Sequence, residues 1–335
     1  MPSNFLSEVD LGTRALKSNP ITISTLEFEK ERSIGMSVAV SKRKGKYLVS
    51  SSDPITGTSI RMGWHAVNVS ANDVATSGVI PDTLNVTSLF PLGMSTSQME
   101  KLFVEISKTA SGLGITVAGA QTEIISGLRR PIVVVTAFGS GDDFVTSSNS
   151  RKYDFILMTK TAGIEGTSIL SHLSEIDELG SKIRRRGLNL IKKISVIEEA
   201  QIAFNTRKIH AMHDVTEGGI IGAVYEMSVA SHLGFEIYSD SVPIDSSTNS
   251  ICSRLHIDPL RLIGSGSLLI SCPPKSSRTV MKALRSKNIR CTKIGRFLPD
   301  SKERWICTSD KRKRVRQTSI QDEVWATLGK YGKLP

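Results

Sequence analysis

The chain has 335 residues, of which 39% are hydrophobic and 22% charged, and it carries a formal net charge of +11. This length predicts about two domains of roughly 100–200 residues, each able to bury its own core. The composition excludes a disordered chain and an integral membrane protein, and the longest apolar stretch, near Ile132–Phe138, is far shorter than the ~20 residues of a membrane-spanning helix.

The first half of the chain is predicted to alternate strands and helices. Apolar residues such as Trp64, Val67, Ala71 and Val74 recur at the spacing of one helix face. The predicted strands are Tyr47–Ser52, Leu84–Phe90, Ile115–Ala120 and Ile132–Phe138, and the predicted helices are Arg61–Ser77 and Ser95–Leu113.

The polar segment of residues 139–152 is the best linker candidate in the chain, because its side chains are short and it is rich in glycine and serine. It predicts one domain over residues 1–145 and a second over residues 152–335. Strands and helices also interleave in the second half, so we expect an α/β or α+β fold. The predicted strands there are Phe155–Thr159, Phe235–Ile237, Ser267–Ser271, Cys291–Ile294 and Trp305–Cys307, and the predicted helices are Thr167–Leu173, Lys182–Ile194, Val196–Asn205, Gly218–Ala230 and Arg278–Ser286.

The cysteines and the start of the chain indicate a cytoplasmic protein. The four cysteines are spaced about 16–20 residues apart without a CxxC pair, which is typical of reduced thiols in a cytosol. The opening residues MPSNFLSEVDLGTR lack the basic region followed by an apolar core that defines a signal peptide.

The common nucleotide and hydrolase signatures GxxxxGK[ST], GxGxxG, HExxH and GxSxG are all missing from the sequence. Four short polar clusters remain. In the first, Asp53 follows a predicted strand, where its carboxylate either faces a cleft and holds Mg²⁺ or begins an Asp-Pro turn. In the second, Asn72 and Asp73 interrupt an apolar helix, although both are poor helix-interior residues. A buried pair of this kind needs a partner, and a metal or ligand would serve.

The other two clusters combine small residues with polar ones. Ala118–Glu123 is a small-residue strand end that either lets a ligand approach the backbone or is a plain exit into a loop. His213–Gly219 ends in two glycines before a helix, which would leave free backbone N–H groups for a phosphate. The polar residues before those glycines offer the alternative of a simple helix cap.

Taken together, these clusters resemble the superfamily of aminoimidazole ribonucleotide (AIR) synthase, which includes the hydrogenase maturation factor HypE, selenophosphate synthetase and thiamine-monophosphate kinase. The order is similar from about Ile34 to Arg296, and five motifs in one order are specific for the superfamily. The segments that carry the resemblance are Ser52–Gly57, Ala71–Gly78 (an NDxAxxG helix), Gly119–Glu123, Ala162–Thr167 (AGxEGT) and His213–Gly219.

The resemblance implies a PurM-like two-domain α/β fold whose amino-terminal domains pair in a homodimer, with ATP and Mg²⁺ in a cleft between the domains. It implies further that members phosphorylate an amide-type oxygen or another weak nucleophile, chemistry that rests on positioning and charge neutralisation. The roles it implies are Mg²⁺ binding by Asp53 and Asp73, and nucleotide binding by Asn72, Thr122, Glu123, Asp214, Gly218 and Gly219.

This sequence departs from the family pattern at three places. Ser37 stands where many members have a metal-binding aspartate, and Ala120-Gln121 replaces a glycine and an acidic or histidine residue. The chain ends Tyr331–Pro335 without the cysteine that carries the carbamoyl group in HypE, so we expect it not to perform the HypE reaction. No Cys or Sec precedes the first motif either, which argues against selenophosphate synthetase.

The sequence therefore predicts a cytoplasmic, dimeric, ATP-binding enzyme that acts on an unknown small-molecule or protein acceptor. The alternative is a non-catalytic nucleotide-binding scaffold or regulator with the same fold, which Ser37 and Gln121 keep open.

Two basic runs, around Arg184–Arg186 and over Lys311–Arg316, account for much of the positive charge. Neither run contains the interleaved aromatic residues that single-stranded nucleic acid favours. We therefore expect a solvated surface at both runs and no nucleic-acid partner.

Overall fold

Two β-sheets with helices packed on them form the part of the chain that the computed structural model describes, residues 38–56, 61–316 and 321–331. These residues lie within one compact unit, Gly35–Pro335. Ser37 lies outside the described residues. The first sheet ends before residue 142 and the second begins at residue 155, on either side of the predicted linker. The division into domains 1–145 and 152–335 stays a prediction.

The first sheet has five strands in the order β1-β2-β5-β3-β4, all antiparallel to their neighbours except the parallel pair β3–β4. Its elements are β1 (Ala39–Arg43), β2 (Lys46–Ile55), α1 (Met62–Thr76), β3 (Thr83–Pro91), α2 (Thr96–Gly112), β4 (Thr116–Ile125) and β5 (Ile132–Gly141).

Alternation along β3 and β5 directs one set of side chains toward the helices α1 and α2. Val133, Val135 and Ala137 of β5 are fully buried there, together with much of α1. Helix α2 starts sharply because Ser95 forms a capping box with Gln98. Val67, Ala71 and Val74 of the predicted face of α1 lie in this core. Trp64 packs against a separate cluster, because α1 is buried on nearly all sides.

The second sheet has seven strands in the order β12-β11-β8-β10-β6-β9-β7. Its strands are β6 (Phe155–Thr159), β7 (Ala211–Asp214), β8 (Gly234–Tyr238), β9 (Leu268–Cys272), β10 (Cys291–Leu298), β11 (Arg304–Cys307) and β12 (Arg312–Arg314). The helices of this half are α3 (Ile164–Leu170), α4 (Ser181–Asn189), α5 (Ile197–Asn205), α6 (Gly219–Ala230), α7 (Ser246–Leu255), α8 (Ser277–Arg285) and α9 (Glu323–Lys330).

The mixed α/β architecture that the sequence predicts is confirmed. Several bounds were wrong for local reasons: β2 continues two residues past Asp53, and β4 continues through Thr122 and Glu123 to Ile125, because ladder pairing with β5 and β3 extends both strands. Polar composition concealed the elements that the sequence analysis missed, which are β1, β7, β12, α7 and α9.

Helix α1 connects the two halves. The indole Nε1 of Trp64 donates to the carbonyl of Ile191 at 3.0 Å, and Gln201 of α5 donates to the carbonyl of Gly78 at 3.0 Å. Lys160, after β6, holds the facing loop from the other side by donating to the carbonyls of Lys193 and Ser195. Within residues 38–56, 61–316 and 321–331, no helix is long and apolar enough to cross a membrane.

Candidate functional site

Three carboxylates from both halves of the chain converge at one place. Asp53 lies on the face of β2 that meets α1, Asp73 lies on α1, and Asp214 is the last residue of β7. Ser51, two residues before Asp53 and therefore on the same face of the strand, donates to Asp73 Oδ2 at 2.7 Å and to Asp53 Oδ2 at 3.2 Å.

The proximity of these carboxylates is reflected in their titration. Burial raises the pKa of Asp73 well above its usual value, and the charges of Asp214 and Asp53 raise it further. Burial also raises the pKa of Asp53, where the Ser51 hydroxyl opposes the shift and Asp214 adds to it. The site is thus a region of negative potential that a cation would stabilise.

Asp214 is the carboxylate that best fits a bound cation or ligand. Its side chain is fully buried, and neither carboxylate oxygen has a hydrogen-bond partner in the described part of the chain. Its Oδ1 has only a 3.6 Å contact with His213 Nδ1. Buried polar atoms are almost always hydrogen-bonded, so this carboxylate suits a site that a bound group completes.

His213, next to Asp214, was missed by the sequence analysis as a site residue. Its Nε2 lies 2.8 Å from Glu226 Oε2, and its Nδ1 lies 3.6 Å from Asp214 Oδ1. Burial alone would lower its pKa, but the carboxylates of Asp214 and Glu226 outweigh burial and raise the pKa of His213 to about 10. The imidazole is therefore protonated at neutral pH and offsets part of the negative charge. The sequence places His213 beside Asp214, but only the fold brings Glu226 to the ring.

These residues fit Mg²⁺ held jointly with phosphate oxygens. Among the described residues, no group of three or more His, Cys, Asp or Glu side chains is positioned to hold a metal ion by itself. Mg²⁺ usually takes only one or two carboxylates and completes its octahedron with water and substrate phosphates. The pair Asp53 and Asp73, with the buried carboxylate of Asp214 nearby, suits that mode of binding.

Asn72, which was expected to contact the nucleotide, has both ends of its amide hydrogen-bonded to the backbone of the second half. Its side chain is fully buried, its Nδ2 donates to the carbonyl of Ile194 at 2.7 Å, and its Oδ1 accepts from the N–H of Val196 at 2.8 Å. Adjacent helix residues point about 100° apart, so Asp73 faces the carboxylates while Asn72 faces the second half. The Asn72 amide therefore links the two halves through these two hydrogen bonds.

Thr122 and Glu123 do not join the carboxylates within one chain. Both lie in β4, at the edge of the first sheet, and both are exposed. Two strands, β5 and β3, separate β4 from Asp53 on β2, a gap of about 14 Å at ~4.8 Å per strand. Within one chain they therefore do not join the carboxylate cluster, and their nucleotide contacts stay a prediction.

The Gly218–Gly219 turn does not leave free N–H groups, contrary to the sequence-based expectation. The Gly218 N–H donates to Asp322 Oδ2 at 2.8 Å, and the Gly219 N–H donates to the Thr216 carbonyl at 3.1 Å. Asp322 is also the N-cap of α9, where it accepts from the Val324 N–H. The 104-residue separation of Gly218 and Asp322 explains why no local pattern predicts this contact.

The need for glycine at position 219 comes from packing. Gly219 has a φ of +63°, and a Cβ there would lie 2.6 Å from the Leu260 carbonyl oxygen. The backbone of this turn must therefore approach the neighbouring segment more closely than any side chain permits.

A buried contact between a histidine and a glutamate lies between the amino-terminal ends of α1 and α3. His65 Nδ1 is 3.1 Å from Glu165 Oε1, and both side chains are buried. Burial alone would raise the pKa of Glu165, but His65 outweighs it and holds the pKa below its usual value. Glu165 is the glutamate of the AGxEGT segment, so its place in the sequence is visible, whereas its partner is not.

Comparison with known proteins supplies the family. The model described as "AIR synthase related protein, N-terminal domain" matches residues 36–140, and the one described as "AIR synthase related protein, C-terminal domain" matches residues 154–307. The chain is 26% identical over 226 residues to a hydrogenase expression/formation protein of Methanocaldococcus jannaschii. That alignment covers 67% of this chain and 66% of the relative, just under two thirds of its length.

Solved structures share the fold. HypE in a HypE–HypF complex superposes with a TM-score of 0.75 at 18% identity, covering 90% of this chain and 99% of that one. HypE in complex with ATP superposes with a TM-score of 0.69 at 20% identity, covering 95% of this chain and 97% of that one. These similarities extend over both sheets.

Proposed function

The chain belongs to the family of AIR synthase-related proteins, and from this membership we propose that it binds Mg²⁺–ATP and phosphorylates an amide-type oxygen or another weak nucleophile on an acceptor. The observation that carries the proposal is the convergence of Asp53, Asp73 and Asp214, with both oxygens of Asp214 buried and without a hydrogen bond from any described residue. Support for ATP comes from the relative of the same fold that was crystallised with it.

The roles of the residues follow from their positions. Asp53 and Asp73 hold Mg²⁺, and the Ser51 hydroxyl keeps the two carboxylates at a fixed separation. Asp214 approaches from the second half, and the protonated His213 beside it limits the repulsion among the three carboxylates. The metal, when bound, neutralises charge on the phosphates and so favours phosphoryl transfer.

We place Thr122 and Glu123 on the nucleotide of a second copy of the chain. Because they are about 14 Å from Asp53 in one chain, and because β4 is an exposed edge strand, a two-fold pairing of the first sheets would bring them to the partner's site. Gly218 and Gly219 bind the nucleotide only if Asp322 releases the Gly218 N–H.

A cavity of about 310 Å³ beside the amino-terminal end of α1 is our candidate for the acceptor. Its walls are apolar at Ile169 and Ile191, and Lys192 and His172 supply polar groups at its rim. This composition suits an acceptor with an apolar body and an anionic group. A non-catalytic scaffold would bind ATP without hydrolysing it, so a measurement of ATP turnover separates the two functions.

The test is Mg²⁺-dependent ATP binding by Asp73→Asn, measured by calorimetry with and without Mg²⁺. We expect at least a ten-fold loss of affinity with Mg²⁺, because carboxylate charge dominates affinity for hard cations. Asp82→Asn, at an exposed aspartate in the same half, is the matched control and should bind normally. Unchanged binding by Asp73→Asn would overturn the site.

Turnover separates an enzyme from a scaffold. ADP and phosphate formed by the wild type, and lost in Asp73→Asn, would support an enzyme. Tight ATP binding without turnover in the presence of candidate amide or carboxylate acceptors would instead favour the scaffold.

A further inference from the structure

Charged and aromatic side chains form two adjacent rows across one face of the second sheet. The strand registers place one residue of each strand in the first row, running from the sheet edge inward: Arg314, Trp305, Glu236, Arg296 and Phe155. The second row begins with Arg312, Cys307 and Tyr238 and reaches Lys293 at the irregularity in β10. At ~4.8 Å per strand, the first row, over five strands, is about 19 Å long, and the second, over four strands, is about 14 Å long.

The cations in these rows lie against the aromatic rings. The guanidinium carbon of Arg312 is 4.1 Å from the ring centre of Trp305, and that of Arg314 is 5.9 Å from it. The Lys293 ammonium is 4.6 Å from the ring centre of Phe155 and 5.8 Å from that of Tyr238. Planar and cationic groups thus alternate in space, although they come from five separate strands.

This face is open to solvent at its β12 end. Ile306 and Val315 point to the opposite face and join the core under α6. Trp305 and Tyr238 are half-buried and belong to none of the hydrophobic clusters formed by the described residues. These two rings contact cations and are not packed into a hydrophobic cluster of the described residues. Phe155, at the inner end of the first row, is half-buried and packs against the cluster that includes residues of α5 and α8.

Positive charge exceeds negative charge in the rows. Arg296 Nε lies 2.6 Å from Glu236 Oε1. Glu303, beside the rows, accepts a hydrogen bond from the Trp305 indole N–H at 2.6 Å, and its Oε2 lies 3.6 Å from the Arg312 guanidinium. Lys293 and Arg314 make no ion pair with a carboxylate among the described residues, so their charges remain available to an anion.

We propose that this face binds single-stranded nucleic acid, with bases stacking on the Trp305, Tyr238 and Phe155 rings and phosphates meeting the four cations. Aromatic rings on an exposed sheet flanked by cations are the physical requirements of such binding. An acidic peptide would satisfy the cations but would leave the rings without planar partners. The basic run of β12 contains no aromatic residue, and the fold supplies the rings from β11, β8 and β6.

The test is fluorescence anisotropy with labelled single strands of about 12 nucleotides at about 50 mM salt, with inorganic polyphosphate and polyglutamate as competitors. We expect the oligonucleotide to bind, with affinity falling with salt at a logarithmic slope of about −3 for four phosphate contacts. Arg312→Gln/Arg314→Gln should reduce affinity at least ten-fold and make the slope shallower by about 1.4.

The ring contribution is tested separately. Trp305→Ala should weaken binding about ten-fold, and Trp305→Phe should retain most of it, because any aromatic face can stack on a base. Thermal melting of each variant shows whether the sheet is intact, and the Phe variant keeps the test valid if the Ala variant is unstable.

Lys182→Gln/Arg185→Gln removes the same charge from the exposed surface of α4 and is the matched control. If this control lost as much oligonucleotide affinity, or if polyphosphate bound as tightly as the oligonucleotide, net charge alone would explain the binding and the proposal would be overturned. If polyglutamate bound more tightly than the oligonucleotide, the proposal would be overturned in favour of an acidic protein partner. The absence of oligonucleotide binding at low salt would also overturn it.

Discussion

At the scale of single residues, α1 carries two buried asparagines with different partners. Asn72 pairs with the Ile194 carbonyl and the Val196 N–H across the two halves, whereas Asn68 donates only to the Trp64 carbonyl of its own helix. The Asn68 Oδ1 has no hydrogen-bond partner among the described residues. Asn72 therefore hydrogen-bonds across the two halves and Asn68 only within its helix, although both side chains are equally buried.

We expect Asn72→Ala to lower the free energy of unfolding by about 2–4 kcal/mol, because it leaves a buried carbonyl and a buried N–H without partners. Asn68→Ala should cost less than about 1.5 kcal/mol, since only one local bond is lost. Urea denaturation of both variants measures the difference. Equal losses would show that the contacts of Asn72 do not stabilise the junction.

The Asn72-Asp73 pair also shows what the sequence can and cannot predict at this scale. Two polar residues in an apolar helix correctly indicate buried side chains that need partners. Which partner each residue finds depends on the direction it faces, and that is fixed only when β7 and the loop near Ile194 are packed against the helix. The sequence singles out Asp53, Asp73 and Asp214 as site residues, an assignment that stays a prediction. It does not predict the hydrogen bonds of Asn72 to the Ile194 carbonyl and the Val196 N–H.

At the scale of elements, the turn before α6 is shaped by its neighbours. We expect Gly219→Ala to destabilise the protein by more than about 3 kcal/mol, because a Cβ 2.6 Å from the Leu260 carbonyl adds a clash to the cost of a positive φ. Gly114→Ala is the control: its φ is +72° and a Cβ there would meet no atom within 4 Å, so only about 1–2 kcal/mol is expected. Denaturant midpoints that coincide for the two variants would contradict the close approach.

The docking of α9 depends on pH through Asp322. Burial, together with the charge of Glu165, raises the pKa of Asp322 to about 7 against the hydrogen bonds from Val324 and Gly218. The folded state therefore holds a proton that the unfolded chain releases near its ordinary pKa of 3.8. The stabilisation that this proton represents is complete below about pH 4 and is lost as the pH rises through about 7.

Asp322→Asn cannot titrate, so its thermal midpoint should be lower relative to the wild type at about pH 5 than at about pH 8, and the difference should narrow by at least about 2–4 °C between them. Thermal melts at both pH values measure this recovery, and Asp310→Asn, at an exposed aspartate, should show none. A constant difference between Asp322→Asn and the wild type would mean that Asp322 is ionised throughout this range.

At the scale of the whole molecule, the interleaved pattern predicts two sheets but not how they meet. The contacts that join the halves, such as Trp64 with Ile191 and Gln201 with Gly78, link residues more than a hundred positions apart. The same limit applies to the second sheet, where a basic run without aromatic residues acquires Trp305 and Tyr238 from neighbouring strands. Short-range patterns determine elements, while juxtapositions of this kind require the topology.

The first sheet leaves one face without a helix among the described residues. Its apolar side chains Leu48, Leu89, Ile132, Val134 and Phe138 are half-buried and belong to none of the hydrophobic clusters of those residues. Strands β3 and β5 direct only alternate residues to this face, because Val133 and Val135 are in the core. An apolar sheet face of this kind suits a second copy of the chain.

We expect the wild type to be a dimer at micromolar concentration and Val134→Lys to be a monomer, because a charge in the centre of an apolar interface would be buried without a partner. Sedimentation velocity measures both, and Val104→Lys, at a half-exposed position on α2, should remain dimeric. If Thr122 and Glu123 serve the partner's nucleotide, the Val134→Lys monomer should also bind ATP at least ten-fold more weakly while its melting temperature stays near that of Val104→Lys. A monomeric wild type would remove the basis for placing those two residues at the site.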